Sequence, residues 1–167
     1  MLLKHAATAE KEERGVCAPS DKTMCQRVYV ASSNPLPVIE RSRSSRFLSV
    51  LPLSTEAVAV RRWFSNDAVH FAEAHGSAPC GCGFPEVNTA RADKPVEHDD
   101  EETVKALADY LEQLAARKCL AELLFCWIGD EQQKPSQSRD IDPPTLRASG
   151  FRFRRGELLR VRARERR

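Results

Sequence analysis

The chain has 167 residues, of which 41% are hydrophobic and 30% charged, and its formal net charge is +2. That is one domain's worth of chain with enough apolar content for a core, which excludes wholesale disorder and a strongly acidic or basic specialist. No apolar run is long enough to span a bilayer. The stretch from Met1 to Ala9 is too short and too weakly apolar for a secretory leader, so a cytoplasmic protein with no membrane partner is expected.

Residues 1 to 23 have no apolar period and carry a Pro19-Ser20-Asp21 turn cluster. They read as a disordered tail, or as an extension from an upstream start, because Met24 directly precedes the first strand pattern. Residues 24 to 167 then form a single globular domain. Gln26 to Ala31 reads as a strand, closed by Ser32-Ser33-Asn34-Pro35. Phe47 to Leu51 is a second short strand, stopped at Pro52. Thr55 to Phe64 reads as a short helix, with Ala57, Val60 and Phe64 at spacings of three and four; Val58 and Val60 keep a strand open as the alternative. Ala68 to Ala74 alternates as a strand, and Gly76 to Pro85 is a tight loop.

The clearest element is a helix from Asp99 to Lys118, with Val104, Leu107, Leu111 and Leu114 on one stripe. Asp99 and Glu102 have capping-box spacing. Ala121 to Ile128 is a strand. Gln132 to Ser149 is a long loop or holds one short helix, and Phe151 to Arg155 and Leu158 to Ala163 read as two further strands. The order β, β, α, β, α, β, β, β predicts a mixed α/β fold of the α+β kind: one small sheet of five or six strands with about two packed helices.

Charge is segregated along this order. Residues 97 to 113 hold seven carboxylates against Lys105, and residues 147 to 167 hold nine arginines against Glu157 and Glu165. The near-neutral total therefore hides a dipolar surface.

Nucleotide-binding glycine motifs are absent, so no nucleotide cofactor is expected, and the hydrolase, zincin and CxxC patterns are absent as well. The clearest helix is acidic, which argues against nucleic acid as a partner. Six cysteines occupy positions 17, 25, 80, 82, 119 and 126. A reducing compartment and an adequate core favour burial, metal binding or thiol chemistry over disulfides.

The segment Cys80-Gly81-Cys82-Gly83-Phe84 concentrates the chemistry. Two thiols two residues apart converge on one ion only if the chain bends, and flanking glycines permit that bend. Thiolates prefer zinc or copper(I). A Zn²⁺ site on Cys80 and Cys82 would draw further donors from Cys25, His75 or Cys126. The competing reading is a tight glycine turn with half-buried cysteines.

Taken with Met24-Cys25, Asn34-Pro35-Leu36-Pro37, Phe64 to His75 and Cys126-Trp127-Ile128-Gly129-Asp130, this segment resembles a group of small bacterial proteins without an assigned activity. The resemblance spans residues 24 to 167, implies Met24 as the start, and carries no mechanism.

Two alternatives belong to other classes. In the first, a cysteine-dependent enzyme, Cys25 or a loop thiol is the nucleophile and His70 or His75 its partner. Removal of Met24 would also supply an α-amine as base at Cys25. In the second, the arginine-rich C-terminal end is a basic face for an anionic partner, with the acidic helix open to a protein partner or to self-association. The period of two places Phe151 and Phe153 inward and sets Arg160 and Arg162 opposite Leu159 and Val161.

Overall fold

The computed structural model describes residues 25–42, 45–74, 82–87 and 95–162. Its elements are β1 (Gln26–Ser32), β2 (Leu48–Pro52), a 3₁₀ helix (Thr55–Trp63), β3 (Ala68–Ala74), α1 (His98–Ala116), β4 (Ala121–Trp127), β5 (Gln137–Ile141), α2 (Pro143–Arg147) and β6 (Glu157–Val161). The fold is mixed α/β around one six-stranded sheet of order β2-β3-β1-β4-β6-β5. All neighbours are antiparallel except β5 and β6.

β1 and β4 are central because they are apolar on both faces. Val28 and Val30 of β1 join Leu123 and Phe125 of β4 beneath α1, whose stripe of Val104, Leu107, Leu111 and Leu114 is buried against them. The opposite face carries Tyr29, Ala31, Leu124, Cys126 and Leu158, and the 3₁₀ helix covers it with Ala57 and Val60. No helix among the described residues is long and apolar enough to cross a membrane.

Several local expectations change. The element at Thr55–Trp63 is helical, but as 3₁₀ rather than α. The helix predicted from Asp99 begins one residue earlier with Glu97 as N-cap, and the Glu97 side chain makes no cap bond. The capping-box spacing is therefore not used; the Thr103 hydroxyl donates instead to the Asp99 carbonyl (2.9 Å).

β5 falls where a loop or one short helix was predicted. It is a polar edge strand, exposed at four of its five residues, so no apolar alternation announces it. Arg139 anchors it to the buried Glu157 carboxylate at 2.6 Å. α2 is the short helix; Asp142 caps it by accepting from Thr145 N at 2.9 Å, and its prolines stand in the first turn, where no amide donor is needed.

The strand expected at Phe151 to Arg155 reduces to a single bridge between Phe153 and Glu86. Only a short segment lies alongside to pair with it: Phe153 N donates to Pro85 O (2.8 Å) and accepts at its carbonyl from Val87 N (2.9 Å). The inward placement of Phe153 does hold, with the residue fully buried.

α1 ends with Lys118 in the left-handed region, at φ 57°. Lys118 N donates to Ala115 O and Cys119 N to Leu114 O, at 2.9 and 3.0 Å, which is the Schellman pattern. A side chain with a Cβ is strained there, and glycine is not. Lys118→Gly is therefore expected to stabilise the protein by about 0.5–1 kcal/mol, after the entropy cost of glycine is subtracted. Urea unfolding should show a higher midpoint with an unchanged slope.

Candidate functional site

One corner of the sheet holds Cys25 together with the described residues on either side of 75–81. A Cβ at Gly83 would sit 2.8 Å from that of Ala74, the last residue of β3. Glycine is thus required here by close packing, whatever its neighbours bind. The contact joins the two described ends of the chain on either side of residues 75–81. The β1–β3 register sets Val28 opposite Ala72; carried two residues further, it places Gln26 beside Ala74, and Cys25 adjoins that pair.

A buried glutamate locks the corner. Glu86 Oε2 accepts from Gln26 Nε2 at 2.9 Å and from Trp127 Nε1 at 3.0 Å. Gln26 and Trp127 are register partners on the α1 face. Glu86 is 4% exposed and makes no ion pair with any described residue, so these two donors carry its desolvation. Sequence reasoning missed Glu86; its only signal was a carboxylate directly after Phe84-Pro85.

The predicted metal donors divide between the faces. Cys82 is exposed in the turn that packs beside α1; the Gly83 Cβ position is 3.8 Å from Asp100 Oδ1. Cys25 is buried, and its carbonyl accepts from Ile128 N at 2.9 Å. Cys126 stands opposite Arg27, on the 3₁₀ face, and strand alternation sets Cys25 diagonal to it there. The sheet separates Cys126 from the Cys82 turn. Cys80 and His75 lie outside the described residues, as do Cys17 and residues 1 to 24. Among the described residues no three His, Cys, Asp or Glu side chains group as a metal site.

Around Cys126 the 3₁₀ face carries a polar cluster that the sequence did not announce. Arg27 Nη1 donates to the Tyr29 hydroxyl (3.2 Å), which donates to Glu131 Oε1 (3.3 Å). Gly129 N donates to Glu131 Oε2 at 2.7 Å, and Trp63 Nε1 to the Glu131 carbonyl at 2.9 Å. The Arg27 guanidinium lies over the Phe71 ring, 5.5 Å from its centroid. Burial, then the Glu131 and Asp130 carboxylates, push the Cys126 thiol up to about 12. Burial likewise pushes the Tyr29 phenol above its ordinary value. Both groups are therefore neutral at physiological pH, and Cys126 is a poor nucleophile.

Among the described residues, the strand register does not bring His70 to Cys25 or Cys126. It pairs with Val30 and shares the α1 face with Val30 and Ala72, whereas Cys126 is on the other face. Val30 is five positions along β1 from Cys25, about 16 Å at the usual strand rise. Burial lowers the His70 pKa, so the imidazole is held neutral.

Of the six described arginines from residue 147 onward, four lie against carboxylates. Arg155 Nε lies 2.7 Å from Asp130, Arg162 Nε 3.0 Å from Asp140 and Arg160 Nε 4.0 Å from the buried Glu122. Arg147 of α2 bridges Asp109 and Glu112 of the acidic α1. The dipolar charge seen along the chain is thus partly closed within the molecule.

No family model, curated protein or solved structure matches the chain.

Proposed function

We propose that this protein binds a transition-metal ion, zinc in the first instance, through Cys80 and Cys82, with Cys25 and His75 completing a tetrahedral set. The observation that supports this reading is the Gly83–Ala74 contact. It draws together the described flanks of the segment that carries His75 and Cys80, at the corner where Cys25 precedes β1. Three thiolates and one imidazole are a common closed zinc set, with Zn–S bonds of about 2.3 Å. Cys126 is left out, because it lies within β4 opposite Arg27 with its thiol pushed up to about 12, whereas Cys25 precedes β1 at the end of the sheet.

The test is metal analysis of protein purified without an affinity tag, reduced and metal-replete. Near-stoichiometric zinc is expected. Cys80→Ser with Cys82→Ser should abolish it, and Cys126→Ser should retain it. Less than about a tenth of an equivalent in the unaltered protein overturns the reading, as does unchanged zinc in the double variant.

A further inference from the structure

A cleft of about 220 Å³ opens on the 3₁₀ face of the sheet, between the chain that follows β4 and the turn that precedes β6. Its floor is Leu124 and Cys126, Pro135 adds apolar wall, and Asp130, Lys134 and Arg155 bring charge to it. At about 30 Å³ per water it has room for about seven waters, the size of a small organic molecule.

The charges are arranged unequally. Asp130 is occupied on both oxygens: Oδ2 takes Arg155 Nε at 2.7 Å and Oδ1 takes Gln133 Nε2 at 2.9 Å. Arg155 is held twice, by that bond and by its guanidinium lying over Trp127, 4.7 Å from the ring centroid. Its two terminal nitrogens make no hydrogen bond to any described residue. Lys134 is exposed and forms no ion pair among the described residues. Two cations with open donors therefore share one cleft with a carboxylate that is already satisfied.

We propose that this cleft binds a small organic anion with an apolar body, its anionic head held by Arg155 and Lys134 and its body lying on Leu124, Cys126 and Pro135. Arg155 suits this role because a guanidinium fixed through Nε presents its remaining donors in a set plane, and little rotamer freedom is lost when an anion arrives. The Cys126 thiol adds no charge to the floor, and the two carboxylates beside it are already engaged, Asp130 by Arg155 and Gln133 and Glu131 by Tyr29 and Gly129. An apolar floor beside a few placed polar groups is the usual composition of a small-molecule site. The site shares Trp127 with the thiol corner, but it uses none of the four proposed zinc ligands and does not depend on metal there.

The probe is hexanoate, titrated into the full chain and followed by amide chemical shifts. Saturable shifts centred on residues 124 to 136 and 155 to 156 are expected, with a Kd of about 1 mM or below. Acetate, which lacks the body, and hexanol, which lacks the head, should each bind at least about tenfold more weakly. Hexyl phosphate distinguishes the head group: tighter binding than hexanoate assigns a phosphate ester, weaker binding a carboxylate, and either supports the site.

Lys134→Gln should weaken hexanoate about threefold, and Lys134→Gln with Arg155→Gln about tenfold or more. Lys134 has no partner to lose among the described residues, so its variant folds normally and keeps the test decisive. No saturation at about 10 mM hexanoate, shifts centred elsewhere, equal binding of hexanol, or undiminished binding by the double variant would each overturn the proposal.

Discussion

Replacing Phe153 with alanine should cost the protein about 3–5 kcal/mol of stability. The ring is fully buried. It stacks on Phe125 at 5.2 Å and meets Phe84 and Phe151 edge-on at 5.7 and 5.1 Å. Its backbone carries both bonds to the 82–87 segment, so a cavity at this point also loosens the strip that follows Cys82. Phe151→Ala, at the half-buried edge of the same cluster, should cost less than half as much. Urea unfolding with a shared slope measures both. A loss under about 1.5 kcal/mol for Phe153→Ala would show that the cluster collapses without penalty and does not hold the segment.

Glu86→Ala should be the next most damaging change. It removes the acceptor shared by Gln26 and Trp127 and leaves two donors unsatisfied at a part-buried sheet end. Each such donor costs about 1–3 kcal/mol when fully buried, and because Trp127 is only half-buried the total falls at the lower end of that range, about 2–4 kcal/mol. Glu86→Gln keeps a carbonyl oxygen in place and should recover at least half of that. Because Glu86 fastens the chain four residues past Cys82, Glu86→Ala should also release bound zinc at a lower chelator concentration than Glu86→Gln does. Equal stability of the two variants would mean that the charge, and not the acceptor geometry, holds the corner.

The elements that were legible in the chain are those whose burial follows a simple period. α1 displays its stripe because one face meets a sheet and the other meets water. β1 and β4 display unbroken apolar runs because both faces are covered, and this places them at the centre of the sheet. β5 displays nothing, since an edge strand exposed on both sides has no apolar face to reveal; a parallel ladder to β6 and the Arg139–Glu157 pair create it. The phenylalanine alternation at 151 to 153 was read correctly for orientation and wrongly for pairing, because pairing depends on which backbone lies alongside.

The candidate sites divide in the same way. Composition and spacing alone single out Cys80 and Cys82, since thiols and glycines are a local pattern. Which other groups stand near them depends on register, a property of two strands that neither strand contains. Registers put Cys25 at the corner with Ala74 and set Cys126 opposite Arg27, away from the Cys82 turn. They also carry Arg155 to Asp130 and Trp127, more than twenty residues away in the chain. A buried carboxylate such as Glu86 looks like any surface glutamate until the fold removes its water. Only the tertiary structure could therefore turn an ordinary loop arginine and lysine into a pair of donors over an apolar floor.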